Sequence, residues 1–97
     1  MMRTYVVCYD ICEPKRLRRV CKIMKGYGER RQFSVFLCVL KEIDFVRMQA
    51  ELDKVMNMRE DQVLIIDLGQ NNDSAKAAMT VMGQGSFKEK EEKIVII

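Results

Sequence analysis

The sequence predicts an α+β domain in which two helices cover one face of an antiparallel sheet. Predicted strands and helices follow one another in the order strand, helix, strand, helix, strand, and a further strand is predicted at the C-terminus. The length of 97 residues fits one compact domain, and a hydrophobic content of 48% is enough to build its core. We therefore expect a single domain over residues 1–97.

The first predicted strand is the nearly continuous apolar run at residues 4–11. Its Val, Ile and Tyr content is typical of a strand that is buried on both faces, and such a strand is central in its sheet. The one acidic residue of the run, Asp10, lies at the C-terminal end of the strand. A carboxylate at this position is what metal-assisted chemistry on a phosphodiester needs.

The first predicted helix begins at Pro14, since proline suits the first turn, and it ends near Gly26 and Gly28. Its apolar positions recur at helical spacing and predict an inward face made of Leu17, Val20, Cys21 and Met24. Between Glu13 and Arg31 the chain carries two anions and eight cations, namely Lys15, Arg16, Arg18, Arg19, Lys22, Lys25, Arg30 and Arg31. The cations of the helix are therefore expected on its exposed side.

The second strand candidate is Gln32–Leu40, in which Phe36–Leu40 either continues the strand or folds back as a hairpin edge. A second helix is predicted from about Asp44 to Met56. Glu60 and Asp61 are expected in a turn before a strong strand, Gln62–Leu68. With two helices on one face, this order favours a ferredoxin-like βαββαβ sandwich.

The C-terminal segment, residues 70–97, is predicted to hold loops, a short helix at 75–82 and a last strand at Ile94–Ile97. Four apolar residues at a terminus need a partner, so this strand is expected to add to a sheet edge of its own or a second subunit. Tyr5, Val7 and Tyr9 are expected on the open face of the sheet with Phe33 and Val35. An apolar open face of this kind favours a homodimer.

Composition excludes several classes of site. The chain has no His, which rules out catalytic triads and His-based ribonuclease mechanisms. Its four Cys show no C-x-x-C spacing, so we expect thiols and no zinc site. The sequence has no stretch long enough for a membrane span, and its start lacks a signal peptide's apolar region, so a cytoplasmic protein without a membrane partner is expected.

Several residues have both a structural and a functional interpretation. Asp10 is either a cap or turn residue beside the helix or a Mg²⁺ ligand, and the second role needs another copy from a dimer. The basic helix is either a solvated face or a phosphate-binding surface, and the absence of acidic neighbours within the helix favours nucleic acid. Tyr9 is either a core aromatic or a group at the site, and Ser34 either caps its strand or hydrogen-bonds a phosphate or a metal water.

Six blocks of the sequence resemble a known family, that of CRISPR-associated protein two, the small subunit of the spacer-acquisition machinery. The blocks are Tyr9-Asp10-Ile11, Lys15-Arg16-Leu17-Arg18-Arg19, Tyr27-Gly28, Arg30-Arg31-Gln32-Phe33-Ser34-Val35-Phe36, Glu60-Asp61-Gln62-Val63 and Ile66-Asp67-Leu68-Gly69. Two positions depart from the family pattern. Leu37 stands where many relatives have an acid, which removes a second carboxylate near the site, and Arg31 stands where an aliphatic residue is common.

The resemblance implies a ferredoxin-like homodimer in which two copies of Asp10 share one Mg²⁺ across the two-fold axis, with Mn²⁺ as a substitute. It also implies that the C-terminal strand crosses to the partner subunit, and that the integrase subunit of the CRISPR system, CRISPR-associated protein one, is a partner. The implied activity is metal-dependent endonuclease cleavage of RNA or double-stranded DNA. The alternatives are a non-catalytic DNA scaffold or adaptor and a toxin-type endoribonuclease.

These implications assign the candidate site residues. The catalytic candidates are Asp10, which is also the metal ligand, Tyr9 and Ser34. The candidates for binding nucleic-acid phosphates are Arg16, Arg18, Arg19, Arg30 and Arg31. Contacts of this kind go to the backbone and carry no sequence information.

Overall fold

The computed structural model describes residues 1–83 and 85 of the chain. Their elements, in chain order, are β1 Arg3–Asp10, α1 Pro14–Lys25, β2 Glu29–Gln32, β3 Val35–Leu40, α2 Glu42–Val55, β4 Gln62–Gln70 and α3 Asp73–Ala77. The strands form one antiparallel sheet in the order β2-β3-β1-β4. The predicted ferredoxin-like α+β fold is confirmed, whereas the predicted strand Ile94–Ile97 lies outside the described residues. No helix in the described part of the chain is long and apolar enough to cross a membrane.

Strand β1 is central, as predicted, because it pairs with β3 on one side and with β4 on the other. In this register Val6 lies opposite Leu37 of β3 and Ile66 of β4. The neighbouring strands cover both edges of β1. Because β1 is paired on both sides, the backbone at its end, where Asp10 lies, is fixed by the sheet.

The segment Gln32–Leu40, predicted as a single strand, is a hairpin in which Phe33 and Ser34 form the turn between β2 and β3. Of the two alternatives, the hairpin is therefore the correct one, but it turns at residues 33–34 and not at Phe36, so that Val35 already belongs to β3. The turn contains no Gly, Pro, Asn or Asp, and Ser34 alone is a weak turn signal. Side chains stabilise it instead: the carbonyl of Phe33 accepts hydrogen bonds from the Tyr9 hydroxyl at 3.1 Å and from Arg30 Nη2 at 2.6 Å.

The prediction that Tyr5, Val7 and Tyr9 lie on the open face of the sheet is wrong, because these side chains are buried in the core with Phe36. Alternation in a strand shows that two faces differ but does not show which face the helices cover. The rings pack under the helix layer, where Tyr5 stacks on Phe45 of α2 with 4.3 Å between ring centroids. From the helices the core receives Val20, Met24, Met48 and Leu52.

The open face carries a different set of side chains. Leu64 and Ile66 of β4 are 56% and 43% exposed, and the sheet register places them beside Cys8 and Val6 of β1. This face is apolar, as expected, but β1 contributes the opposite residues to those predicted, whereas Val35 of β3 lies on this face beside Cys8, as predicted.

The end of β4 and the helix after it also differ from the prediction. Gly69 lies inside β4, at a bulge with a φ of 91°, a conformation that glycine adopts without steric cost. Helix α3 begins at Asp73 because the Asn72 side chain accepts hydrogen bonds from the backbone N–H groups of Ser74 and Ala75. It ends at Ala77, earlier than predicted. The four cysteines, which all lie in the described part of the chain, form no disulfide bond.

Candidate nucleic-acid and metal site

Asp10 is the last residue of β1, and its side chain is exposed. On one side lies the β2–β3 turn, where the carbonyl of Ser34 accepts a hydrogen bond from the N–H of Tyr9 at 3.1 Å. On the other side Asp10 pairs with Gln62 at the start of β4. The sheet therefore brings two of the predicted catalytic residues, Asp10 and Ser34, to the same end of neighbouring strands.

The N-cap of α1 is Glu13, not Asp10. Its carboxylate accepts hydrogen bonds from the backbone N–H groups of Lys15 at 2.9 Å and Arg16 at 2.8 Å. These bonds lower the pKa of Glu13 and satisfy two of the N–H groups left open at the start of a helix. The capping interpretation of Asp10 is wrong.

Tyr9, the third predicted catalytic residue, lies in the core with 6% of its surface exposed. Its ring packs near Phe36, with 6.1 Å between centroids, and its hydroxyl donates to the Phe33 carbonyl. Burial raises the pKa of the Tyr9 phenol well above its usual range. In this position Tyr9 holds the hairpin turn next to the site and does not face solvent.

The exposed cations of α1 form one surface, which we call the basic face: Lys15, Arg18, Arg19, Lys22 and Lys25. The first four line a shallow groove along the helix. The inward residues Val20 and Met24 are buried on the other side of the helix. The orientation predicted from helical spacing is confirmed.

Helix α2 differs from α1 in charge. It has two cations and four acids, Glu42, Asp44, Glu51 and Asp53.

Of the five predicted phosphate-binding arginines, three lie on α1, and the remaining two, Arg30 and Arg31, lie on β2. Arg30 is half-buried, and its guanidinium lies 5.8 Å from the ring centroids of both Phe33 and Phe36. Arg31 is exposed and forms an ion pair with Glu29 at 3.2 Å. The five predicted arginines are thus divided between the basic helix and the hairpin.

A buried carboxylate, Asp61, was missed as a site residue by the sequence prediction, which placed it only in a turn. One of its oxygens, Oδ2, accepts from Arg16 Nε at 2.8 Å and from the N–H of Asn57 at 2.9 Å. Its other oxygen, Oδ1, accepts from the N–H of Cys12 at 2.9 Å and from Arg16 Nη2 at 3.2 Å. We call this arrangement the Asp61 clamp.

The Asp61 clamp stabilises the ionised form of the Asp61 carboxyl group. The hydrogen bond from Arg16 is the main reason why the pKa of Asp61 lies far below its usual range. Glu60 reinforces the clamp, since its Oε1 binds Arg16 Nη2 at 3.0 Å and its carbonyl accepts from the Cys12 thiol at 2.8 Å. A sequence signal for this contact was available. The two adjacent acids before β4, Glu60 and Asp61, could supply the negative charge that the cations of α1 lack within their own helix.

The exposed carboxylate at the end of β1 is the kind of oxygen ligand that Mg²⁺ and Mn²⁺ bind. Among residues 1–83 and 85, no group of three or more His, Cys, Asp or Glu side chains is arranged to hold a metal ion. Mg²⁺ nevertheless binds through one or two carboxylates together with waters and substrate phosphates. One protomer offers the exposed carboxylate of Asp10, so a second copy or a bound phosphate is needed to complete such a site.

Comparison with known proteins agrees with this geometry. The sequence model of the family described as "CRISPR associated protein Cas2" matches residues 2–76. A relative from Thermodesulfovibrio yellowstonii, named CRISPR-associated endoribonuclease Cas2 2, is 43% identical over 72 residues, which cover 74% of this chain and 79% of the relative. A relative from Rhodospirillum rubrum, named CRISPR-associated endoribonuclease Cas2 1, is 41% identical over 93 residues, which cover 96% of this chain and 89% of the relative.

A solved structure gives the same result for the fold. The crystal structure of Streptococcus pyogenes Cas2 superposes with a TM-score of 0.72 at 31% identity, and the match covers 86% of this chain and 100% of that one. Since the family model, the relatives and the structure agree, and since the match spans the sheet, both long helices and Asp10, the chain belongs to the CRISPR-associated Cas2 family.

Proposed function

We propose that this protein is a homodimeric, Mg²⁺-dependent endonuclease of CRISPR spacer acquisition that cleaves RNA or double-stranded DNA. The observation that carries the proposal is the exposed carboxylate of Asp10 at the end of the central strand, followed after a short loop by the basic face of α1. The names of the curated relatives support endoribonuclease activity. The basic face supports a substrate with a phosphate backbone.

The residues of the site have distinct roles in this proposal. Asp10 would hold the metal ion, which would supply polarisation of a phosphoryl oxygen and a more acidic bound water. The basic face binds flanking phosphates and positions the backbone. Ser34 lies opposite Tyr9 at the same end of the sheet, and in this proposal its hydroxyl orients a phosphate. Since the chain contains no His, no imidazole takes part in proton transfer.

We further propose that the open face of the sheet joins two copies of the chain. The exposed side chains of Leu64 and Ile66 lie in register with apolar neighbours on the central strands. Covering this face removes apolar surface from water, which is the usual driving force for a dimer. A second copy also supplies the second Asp10 that the metal site needs.

The dimer is tested by placing charges on the open face. We expect the double substitution Leu64→Lys and Ile66→Lys to raise the dimer Kd at least about a hundredfold, since buried unpaired ammonium groups are costly. Sedimentation velocity over a concentration series measures this. Val81→Lys is the matched control, because Val81 is 70% exposed and lies outside the sheet. An unchanged Kd in the double variant would show that the dimer uses another surface.

Cleavage is tested with single-stranded RNA and duplex DNA as separate substrates, in Mg²⁺ and in EDTA. We expect products in Mg²⁺ only, and Mn²⁺ should replace Mg²⁺. The substrate that is cut decides between RNA and DNA. Equal product in EDTA and in Mg²⁺ would contradict the proposed metal-dependent mechanism.

A second candidate function is that of a non-catalytic DNA scaffold that binds the CRISPR integrase subunit. It is favoured by the lack, among residues 1–83 and 85, of a group of three or more metal-ligating side chains, and by a cationic surface suited to sequence-independent backbone contacts. In this case the basic face carries the function, and Asp10 is dispensable for it. Co-purification with the integrase subunit in the absence of cleavage would support the scaffold.

A further inference from the structure

The Asp61 clamp separates Arg16 from the other cations of α1. The side chain of Arg16 is 20% exposed and that of Asp61 is 0% exposed, whereas Arg18 and Arg19 are exposed. The guanidinium of Arg16 bridges both oxygens of Asp61 and also reaches Glu60. A guanidinium bound in this forked way has its charge compensated and its best donors occupied, so it is poorly placed to bind a phosphate.

The same carboxylate controls the loop that follows Asp10. Cys12, two residues beyond Asp10, donates its N–H to Asp61, and Gln62, the residue after Asp61, pairs with Asp10 in the sheet. With Asn57 as the fourth donor, the roughly four acceptor positions of the carboxylate are all filled. The clamp thus fixes the surroundings of Asp10 both from the loop and from the neighbouring strand.

We propose that Arg16 and Asp61 are a positioning pair and that Arg16 is not a phosphate contact. The pair holds the loop after Asp10 against the start of β4 and sets the position of Asp10 relative to the basic face. Loss of Arg16 leaves the buried carboxylate of Asp61 without its counter-charge, and loss of Asp61 leaves Arg16 paired only with the more exposed Glu60 and removes the anchor of the loop. The consequence for cleavage rests on the proposed function, whereas the consequences for binding and thermal stability do not.

The test compares Arg16→Gln and Arg16→Lys with a matched control on the basic face, Arg18→Gln. Binding of a fluorescein-labelled duplex DNA is measured over a salt series, and the melting temperature is measured for each variant. The control should reduce the slope of log affinity against log salt by about 0.9 for each copy of Arg18 in the dimer that contacts a phosphate, and leave the melting temperature unchanged. Arg16→Gln should keep the wild-type slope and melt at a lower temperature.

Arg16→Lys separates charge from geometry. Lysine keeps the positive charge but cannot bridge both oxygens of Asp61, so we expect a wild-type salt slope and a lowered melting temperature. In a cleavage assay, Arg16→Lys should lower kcat more than it raises KM, since it displaces Asp10 without removing a substrate contact, while Arg18→Gln should raise KM.

Two results would overturn the assignment. One is a fall in salt slope for Arg16→Gln equal to that of Arg18→Gln. The other is a wild-type melting temperature for Arg16→Lys, which also decides the question if Arg16→Gln does not fold. If wild type cleaves nothing, the nuclease proposal fails, yet the salt slopes and melting temperatures still decide the role of Arg16.

Discussion

Asp10→Asn should lower the cleavage rate at least about a hundredfold while the fold survives, since losing a central metal or catalytic group has effects of this order. Asparagine keeps the shape of the side chain but removes the charge that attracts a divalent cation. The fold should persist because Asp10 is exposed and the cap of α1 is Glu13. The measurement is single-turnover cleavage of RNA or DNA, with circular dichroism as the check on folding.

The control for this substitution is Asp53→Asn, which removes an exposed carboxylate from α2 and should leave cleavage unchanged. Mn²⁺ should support cleavage by wild type but should not rescue Asp10→Asn. Equal cleavage by wild type and Asp10→Asn after stringent purification would contradict the nuclease mechanism. DNA binding and assembly with the integrase that persist in Asp10→Asn, without cleavage by either protein, would establish the scaffold instead.

Binding to duplex DNA should weaken by about a thousandfold or more when salt rises from about 50 to 200 mM, if six or more phosphates are contacted by the dimer. The physical reason is that each cation on the basic face displaces a counterion from the backbone when it binds. Fluorescence anisotropy with duplexes of unrelated sequence measures both the salt slope and the sequence tolerance of binding.

The double substitution Arg18→Gln and Arg19→Gln should flatten this salt dependence. Arg47→Gln is the matched control, because Arg47 is an exposed arginine on the acidic helix α2 and should not contact DNA. A salt response that is flat in wild type, or a strong preference for one sequence, would show that backbone contacts from the basic face do not govern binding.

The elements set by strong local patterns were predictable from the sequence. Helix α1 has a proline at its start, a regular apolar stripe and glycines at its end, and it begins at Pro14 and ends at Lys25 as these signals indicate. The apolar run before Asp10 likewise marked the central strand. Local signals suffice in such cases because propensity, periodicity and end signals all agree.

The features that depend on contacts between distant residues were not predictable. The turn at Phe33 and Ser34 is stabilised by Tyr9, far away in sequence. The partner of Arg16 is Asp61, 45 residues later. The covered face of the sheet depends on which side the helices pack, and strand alternation alone is the same for both choices. These are properties of tertiary packing: the adjacent acids Glu60 and Asp61 indicated that a cation would pair with them, but local patterns did not specify which cation.

The unequal charges of the two long helices have a consequence for how a nucleic acid approaches. Helix α1 has no acid among its residues, whereas α2 has four acids and two cations. The helix layer therefore has an uneven charge distribution, with net positive charge along α1 and net negative charge along α2. A polyanion within about 10 Å, the screening length at moderate salt, experiences a torque as well as an attraction. Encounters are then steered towards α1 before any contact forms, so orientation precedes docking.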